Sequence, residues 1–594
     1  MNKILFYCLS FISAFFLAQC ANPVSPDGGP KDVKQPTVLA CQPPNKSINF
    51  VTKNIQIDFD EFIALKNPLT EIFISPPLKQ RLDPKIRGKS ILIKINDTLS
   101  PGTTYSITFG NAISDITENN IIRDFNYVFS TGNYIDSLTL RGNVVNAFDK
   151  TPQKDVFAEL YINNNDTLPL DSLPLKVPPY YVTKTDENGN FVFKNLKKDH
   201  FLLFALSDQN GDLIFNQPSE KIAYSDTLVN PYYISTPTPD TLHKDSVTKT
   251  ALQKTKPVKS GPALISDSLR AMDSVRMAAL NFPAYPLNLF EEVDSIQRLI
   301  NSRFVRDGLV MLNFRYPVHQ LKIVPLNFDS TTPWKYDEFS AKKDTVMLWI
   351  TRSKTDTLLA RMTTDEKLID TLRLNLVKKQ ISKKVDKNTP PPRLEFQNSA
   401  AAGLNQFRNK PGLTASYPIA RWDFSRVLMI DDKDTIPADI KFTDSIKRHL
   451  VVDHKWQEEK TYTLLIPDSV FFSINGLSHD TIKQTFRTKA EKDFGNLVII
   501  LNMDHRPGQY IIQLLNEKET DIIDQCIVDK SGKIKMNYIA PGKFKLKAIL
   551  DRNKNGKWDS GSYHARLQPE MVFYLPKEIE IRSNWDVEEN WVLE

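Results

Sequence analysis

The sequence predicts an all-β protein, a string of about five β-sandwich domains. Its length of 594 residues corresponds to roughly three to six domains. Apolar and polar residues alternate in many short segments, among them 54–59, 91–95 and 105–109, and this period of two is typical of strands with one buried face. A pair of domains also recurs near both ends of the chain, which indicates a serial architecture.

The composition is that of an ordinary folding protein. Hydrophobic residues make up 41% and charged residues 25% of the chain, which excludes a fully disordered chain, a collagen and a multi-pass membrane protein. The 76 basic and 70 acidic residues leave a net charge of only +6. A balance this close to neutral argues against nucleic acid as the main partner.

The first residues predict export. After Lys3, residues 4–17 form an apolar run without a charge. The run is too short to span a bilayer, which takes about 20 residues, and it is typical of a signal peptide over 1–19.

The apolar run ends in Leu17-Ala18-Gln19-Cys20. This order resembles a bacterial lipobox, and the resemblance implies that Cys20 is lipidated and anchors the chain to a membrane. Gln19 departs from the usual small residue before the cysteine, so the alternative is cleavage nearby by an ordinary signal peptidase. Residues 20–35 are rich in Pro and Gly and predict an extended tether.

Two internal repeats define the domain organisation. One has an offset of 343 residues and aligns Asp208 with Asp551, and the other has an offset of 357 residues and aligns Thr104 with Thr461. The difference between the offsets predicts a longer loop at about 163–179 in the first copy. We name the predicted domains A1 (36–133), B1 (134–230), the middle domain (285–385), A2 (392–492) and B2 (493–594).

Two segments between these domains predict linkers. Residues 231–284 are of low complexity, with repeated Thr, Pro and Lys, and residues 383–392 form a basic, Pro-rich joint. Short helices are expected near 266–280 and 291–303.

Domain A1 resembles a known family. It contains Ile57-Asp58-Phe59-Asp60-Glu61-Phe62, then Leu99-Ser100-Pro101-Gly102-Thr103-Thr104-Tyr105, and then Phe129-Ser130-Thr131. This order is similar to that of the bacterial Ig-like domain of S-layer and surface proteins. A2 keeps a weaker version with Arg421-Trp422-Asp423 and Phe486-Arg487-Thr488.

Domain B1 opens with Leu140-Arg141-Gly142-Asn143-Val144. It resembles the prealbumin-like domain of carboxypeptidase-regulatory type, and B2 is its second copy. The whole chain is similar to Ig-like lipoproteins of Bacteroidota. That resemblance implies a string of β-sandwiches at the cell envelope, and it brings no catalytic residues with it.

One loop of B2 has the oxygen pattern of a calcium site. Side-chain oxygens fall at positions 1, 3, 5 and 9 of the loop, and Gly556 at position 6 permits a tight turn. A hard cation such as Ca²⁺ takes six to eight oxygens, and a loop with oxygens on alternate residues can supply them. The candidate ligands are Asp551, Asn553, Asn555 and Asp559.

A loop of B1 repeats this pattern with an expected shorter spacing, and Glu220 is a further candidate ligand. Its candidate ligands are Asp208, Asn210, Asp212 and Asn216. The alternative for both loops is a polar β-turn held by Asx hydrogen bonds. With two carboxylates each, such sites would have dissociation constants of about 10⁻⁴ to 10⁻³ M and would stiffen the domain.

Other motifs point away from an enzyme. The sequence contains no HExxH, P-loop, G-x-S-x-G or G-x-G-x-x-G motif. Cys41 and Cys526 lie far apart, which favours separate thiols over a disulfide. Four tryptophans could stack on sugars, but a role in the core or in domain joints is the preferred interpretation: Trp334, Trp349, Trp422 and Trp591.

These observations predict a non-catalytic, lipid-anchored scaffold or binding protein of the cell envelope. The alternative is a glycan-binding or accessory subunit of an outer-membrane uptake system, and an enzyme with a diffuse acidic site is a third reading. No acidic residue follows Cys20 at Ala21-Asn22, so the outer membrane is the expected location, on either side. The expected partners are the membrane and an unidentified protein or glycan, without nucleic acid.

Overall fold

The computed structural model describes residues 32–593. The gaps within this range are 124, 163–167, 234–283, 293–295, 307, 330–332, 352–355, 365–366, 377–391, 399–404 and 432–433. The predicted signal peptide, Cys20, the predicted helix at 266–280 and nearly all of both predicted linkers therefore lie outside the described residues.

The described chain divides into two compact units. Unit 1 runs to Glu292 and also includes the short segment Ser562–Leu567. Unit 2 consists of Val293–Gly561 and Gln568–Glu594. A1 and B1 belong to unit 1, and the middle domain, A2 and most of B2 belong to unit 2.

A1 is a β-sandwich. Its strands form the sheets β1-β2-β6-β5, β4-β7-β9 and β3-β8, and Ile57, Ile107 and Phe129 are among the fully buried side chains between them. Buried and more exposed residues alternate along Asn54–Phe59, as the period of two predicts, whereas four of the five residues of Asn126–Ser130 are buried. The strands are β1 Val38–Gln42, β2 Asn54–Phe59, β3 Ile63–Leu65, β4 Phe73–Ser75, β5 Lys85–Arg87, β6 Ser90–Lys94, β7 Thr104–Thr108, β8 Ile113–Asp115 and β9 Asn126–Ser130, with the short helix α1 Pro68–Glu71.

B1 is built on one seven-stranded sheet with the order β12-β11-β14-β15-β16-β10-β13. The predicted longer loop after β11 contains a 3-10 turn, Leu170–Ser172, and the short helix α2 Leu173–Lys176. The strands are β10 Leu138–Asn146, β11 Phe157–Ile162, β12 Tyr181–Lys184, β13 Asn190–Leu196, β14 Phe201–Ser207, β15 Lys221–Tyr224 and β16 Ala284–Glu291.

Strand β16 changes the predicted domain boundaries. It runs parallel to β10 and antiparallel to β15, and Leu287 and Leu289 are buried in the core of B1. The predicted end of B1 at 230 therefore omits its last strand, and 285 is not the start of the middle domain. The chain leaves this sheet after Tyr224 and re-enters it at Ala284, so the predicted linker lies within B1 and does not join two domains.

The middle domain and A2 are also sandwiches. The middle domain has the sheets β17-β18-β21-β20 and β19-β22-β23, and A2 has β24-β25-β30-β29, β28-β27-β31-β33 and β26-β32. The strands are β17 Leu299–Arg306, β18 Leu309–Phe314, β19 Lys322–Pro325, β20 Lys335–Phe339, β21 Thr345–Ile350, β22 Thr357–Thr364, β23 Lys367–Asn375, β24 Phe396–Asn398, β25 Gly412–Ala415, β26 Ile419–Trp422, β27 Leu428–Asp431, β28 Asp434–Pro437, β29 Asp439–Phe442, β30 His449–Asp453, β31 Thr461–Ile466, β32 Phe471–Ser473 and β33 Ile482–Arg487.

B2 repeats the topology of B1. Its sheets are β37-β34-β41 and β36-β35-β38-β39, with β40 beside β38, and its last strand is parallel to its first as in B1. The strands are β34 Gly495–Asn502, β35 Tyr510–Asn516, β36 Ile522–Val528, β37 Gly532–Ile539, β38 Gly542–Leu550, β39 Val572–Tyr574, β40 Ile579–Ile581 and β41 Asp586–Val592.

The all-β prediction is confirmed, since both described α-helices have four residues each. The helix expected at 291–303 is wrong: β16 ends at Glu291 and β17 begins at Leu299. The apolar residues there satisfy either period over so short a stretch, and pairing with neighbouring strands decided the outcome.

Candidate functional site

The two Asp/Asn loops occupy equivalent places in B1 and B2. Loop 1 follows β14 and begins at Asp208, and loop 2 follows β38 and begins at Asp551. Both loops carry their side-chain oxygens at positions 1, 3, 5 and 9, so the expectation of a shorter spacing in loop 1 is wrong. Both also have positive φ at positions 4 and 6, where Gly211 and Gly556 each relieve one left-handed residue.

The first aspartate organises each loop. Asp551 is buried and accepts hydrogen bonds from the backbone N–H groups of Asn555 (3.0 Å) and Gly556 (2.9 Å) and from Gln509 Nε2 (2.9 Å). Asp208 likewise accepts from the backbone of its own loop. Asp208 closes an Asx turn through the N–H of Asn210, two residues on, whereas the backbone groups bound to Asp551 lie four and five residues on.

The remaining side chains of loop 2 converge on Asp559. Its Oδ2 accepts from Asn553 Nδ2 at 2.6 Å and from Asn555 Nδ2 at 2.5 Å. In loop 1 the corresponding contacts run from Asn210 and Asn216 to Asp212, at 3.0 and 2.6 Å. The structure thus brings all eight predicted ligands together in two clusters of four.

Sequence analysis missed Glu570 and underrated Glu220. Both are buried, and Glu570 accepts from the backbone N–H groups of Arg552 (2.7 Å) and Asp559 (3.1 Å). Glu220 accepts in the same way from Gln209 and Asn216. Burial raises the pKa of Glu570, and the nearby Asp559 and Asp551 raise it further.

The spacing in sequence hid this equivalence. Glu220 follows Asp208 by 12 residues, whereas Glu570 follows Asp551 by 19. The segment Ser562–Leu567 accounts for most of the difference, because it interrupts the second loop. A comparison that allowed one insertion here would have paired the two glutamates.

Loop 1 has a further carboxyl group beneath it. Glu159 is fully buried, and desolvation raises its pKa well above the ordinary value, with Tyr161 opposing and Asp208 and Glu220 adding to the shift. The hydroxyl of Tyr161 donates to its Oε2 at 3.2 Å. Burial at this position therefore disfavours the charged form of Glu159.

Carboxylates alone do not make a metal site in this fold. Within the described residues, no group of three or more His, Cys, Asp and Glu side chains is placed to hold a metal ion. A cation at either loop would therefore depend on the Asn side chains and on backbone carbonyls. Oxygen donors of these kinds are ordinary Ca²⁺ ligands. Calcium binding at the two loops therefore agrees with the donor chemistry and stays a prediction.

The tryptophans are mainly structural. Trp349 and Trp591 are buried in domain cores or joints, and Trp334 is half-buried against Phe328. Trp422 alone among the four predicted residues is exposed, at 38%, and its ring lies 5.2 Å from that of Phe442. The preference for core roles is confirmed for the two buried residues.

The two described cysteines are free thiols, both half-buried. Burial raises the pKa of Cys41 and of Cys526, so neither is activated as a thiolate. An open groove of about 880 Å³ lies over the A1 sheet, with Asp83 as the one acidic residue among those that line it. It does not have the pair of facing carboxylates that the enzyme reading requires.

Comparison with protein families identifies one domain. Residues 32–131 match the model of the bacterial Ig-like domain, which confirms the resemblance of A1. No curated protein matches the chain. No helix in the described part of the chain is long and apolar enough to cross a membrane.

Several solved structures match parts of the chain at low similarity. Native alpha-2-macroglobulin from Escherichia coli, spanning domains MG0-NIE-MG1, is 14% identical over 31% of this chain and 71% of its own, with a TM-score of 0.15. The S-layer protein rSbsC(31-844) is 13% identical over 92% and 67%, with a TM-score of 0.13. BcpA, the major pilin subunit of Bacillus cereus, is 8% identical over 76% and 98%, with a TM-score of 0.14. TM-scores this low describe no shared overall arrangement, so nothing about function follows from them.

Proposed function

We propose that this protein is a non-catalytic, lipid-anchored scaffold of the cell envelope that presents β-sandwich domains for binding. The observation that carries the proposal is the set of specific joints between successive domains within each unit. A scaffold must hold its domains in fixed relation, and directional contacts at each joint do this better than a flexible linker.

In unit 1, A1 and B1 meet through polar and aromatic contacts. The backbone N–H of Val182 donates to Ser75 Oγ at 3.0 Å. The ring of Phe73 in A1 meets the ring of Phe157 in B1 edge to face at 6.1 Å. Both contacts depend on orientation, so they favour one arrangement of A1 against B1.

In unit 2, the middle domain and A2 share a network around Glu338. Its carboxylate accepts from Trp349 Nε1 at 2.7 Å and pairs with Arg448 at 3.2 Å, and its Oε1 lies 3.3 Å from His449 Nε2. Arg306 extends the joint, because its guanidinium lies 4.3 Å from the ring centroid of Tyr417. Partly buried charges with several partners stabilise one arrangement over its alternatives.

A2 and B2 are joined by a loop that precedes β25. Arg408 pairs with Asp524 and donates from Nε to the carbonyl of Asn537 at 2.7 Å. Phe407 stacks on Tyr538 with ring centroids 4.4 Å apart. The three domains of unit 2 are thus connected by contacts from side chains as well as by the chain.

The lipid anchor has a direct test. Cys20→Ser should move the protein from the membrane fraction to the soluble fraction, because several acyl chains are needed for stable anchoring and each buried CH₂ contributes about 0.8 kcal/mol. Cell fractionation with immunoblotting measures this, with Cys41→Ser as the matched control that stays in the membrane. Retention of the Cys20→Ser protein in membranes would contradict the proposed lipid anchor.

A separate experiment, protease treatment of intact cells, distinguishes domains on the cell surface from domains on the periplasmic side of the outer membrane.

Calcium binding would stiffen the B domains of this scaffold. With a dissociation constant near 1 mM, 10 mM Ca²⁺ should stabilise the folded state by about 1.4 kcal/mol and raise the melting temperature. The double variant Asp551→Ala, Asp559→Ala should abolish the contribution of loop 2.

Because Asp551 also accepts backbone N–H groups, Asp559→Asn is the milder variant, and the exposed Asp529→Asn is the control. Calorimetry with and without Ca²⁺ gives the shift for each protein. If Ca²⁺ still raises the melting temperature of Asp559→Asn and of the double variant by the wild-type amount, the cation binds outside loop 2.

A glycan-binding subunit is the second candidate. The observation in its favour is the exposed Trp422, whose ring forms a cluster with Phe424 and Phe442. Lys447 Nζ lies 4.3 Å from the Trp422 ring centroid, so one side chain already occupies part of this surface. The two candidates differ in whether soluble glycans stabilise the protein.

A further inference from the structure

The sheet of B1 is buried on both faces. Ala158 and Leu160 face the core of the domain. On the opposite face, Tyr161, Phe204 and Tyr224 are also buried, although an antiparallel sheet of a sandwich commonly leaves this side to water. We call these three residues together with Phe215 of loop 1 the aromatic socket.

A hairpin of the chain's own fills this socket. Ser562–Leu567 belongs to unit 1. Ser562 and Leu567 exchange two backbone hydrogen bonds of 2.8 Å, and the N–H of Arg566 donates to the carbonyl of Tyr563 at 3.1 Å. The hairpin is therefore closed by its own hydrogen bonds, and it presents Tyr563 at its tip.

Tyr563 is the central contact, with only 1% of its surface exposed. Its ring meets Phe204 at 5.6 Å, Tyr224 at 5.2 Å and Phe215 at 6.3 Å, each edge to face. Its hydroxyl donates to the backbone carbonyl of Asp171 at 2.7 Å. An apolar ring in a pocket with its hydroxyl satisfied is the usual form of a binding hot spot.

Polar contacts surround the ring. Glu292 accepts hydrogen bonds from Ser562 Oγ and from the backbone N–H of His564, and its carboxylate lies 2.6 Å from His564 Nδ1. The guanidinium of Arg566 lies 4.4 Å from the Tyr563 ring centroid and 5.7 Å from that of Tyr224. The ring of Tyr563 therefore contacts the aromatic socket, and the residues on either side of Tyr563 contact Glu292 beside it.

The fold of a B domain does not require this socket. The residue of B2 that corresponds to Phe204 at the repeat offset is Lys547. The carbonyl that receives the Tyr563 hydroxyl comes from the loop after β11, which is longer in B1 than in B2. The ring of Phe204 and the carbonyl of Asp171 are thus specific to the first copy. The socket residue Tyr224, which pairs with Phe204, has a counterpart in B2, because Tyr574 pairs with Lys547.

We propose that the aromatic socket of B1 is a peptide-docking site for a tyrosine-bearing β-turn, with Ser562–Leu567 as its resident occupant. The proposal adds a defined binding surface to the scaffold and does not depend on the lipid anchor. The same hairpin supplied as a free peptide should enter the socket when the resident tyrosine is removed.

The test uses the full chain with Tyr563→Ala and a fluorescent, cyclised peptide of sequence 562–567. Fluorescence anisotropy should show saturable binding to Tyr563→Ala and none to the wild type, whose socket is filled. A peptide with alanine in place of its tyrosine should bind roughly tenfold more weakly or worse. Adding Glu292→Gln to Tyr563→Ala should weaken the binding, and Tyr336→Ala, outside the socket, should not create it.

Equal binding to wild type and variant, or no binding to a folded Tyr563→Ala chain, would overturn the proposal. If Tyr563→Ala does not fold, the double variant Ser562→Ala, His564→Ala keeps the ring and loosens its contacts to Glu292. Excess peptide should then exchange with the resident hairpin in this variant faster than in the wild type. Exchange at the same rate in both proteins would count against the socket.

Discussion

Replacing Trp349 with alanine should destabilise unit 2 by about 3–5 kcal/mol, the usual cost of removing a large buried aromatic side chain. Trp349 is 0% exposed and packs with Leu309 and Ile446 in the cluster that joins the middle domain to A2. Its removal leaves a cavity and also leaves Glu338 without the Nε1 hydrogen bond. Both the cavity and the lost hydrogen bond lower the free energy of unfolding of unit 2.

Chemical denaturation followed by hydrogen exchange in unit 2 measures this change. Trp349→Phe is the matched variant, because it keeps an aromatic ring and removes the Nε1 donor, and its expected cost is about 1–2 kcal/mol. Trp422→Ala, at an exposed ring, should cost less than either. A negligible loss for Trp349→Ala would contradict its place in the joint and reopen the sugar-stacking interpretation.

Replacing Leu289 with alanine should destabilise B1 by about 2–5 kcal/mol. Leu289 is buried in the core of B1, on a strand that lies between β15 and β10. The sequence-based boundary at 285 instead predicts an effect on the middle domain. The variant therefore shows whether Leu289 belongs to B1 or to the middle domain, because only the domain that contains it should lose stability.

Hydrogen exchange resolved along the chain gives the location. In Leu289→Ala, protection should fall in β10 and β15, while β18 and β21 of the middle domain keep theirs. Leu358→Ala, at a fully buried position of the middle domain, should show the reverse pattern. Loss of protection in β18 and β21 alone after Leu289→Ala would restore the original boundary.

Much of the fold could be predicted from local pattern. The period of two in β2, β6 and β7 identifies strands because alternate side chains of a strand face opposite sides, whatever the strand pairs with. The repeat offset between Asp208 and Asp551 placed the two loops at equivalent positions, because an ungapped repeat preserves turns and strands together. The all-β class and the eight clustered loop residues follow from these local signals.

Pairing between distant segments could not be read in the same way. Strand β16 lies about 60 residues after β15, and its alternation shows that one face is buried without showing in which sheet. Glu570 and Tyr563 lie in a stretch of B2 whose counterpart in B1 is shorter, so the repeat gave them no partner. The burial of Trp349 likewise depends on A2, a separate domain in sequence.

Local pattern in the chain is sufficient to predict the all-β class, the repeated domains and the oxygen pattern of the loops. Three features depend on contacts between distant segments: β16 completes B1, Glu220 and Glu570 close the two loops, and a hairpin at 562–567 fills the aromatic socket of unit 1. The physical reason is that strand propensity and side-chain alternation are local properties of the chain. The choice of partner instead depends on the total surface buried by contacts between residues far apart in sequence.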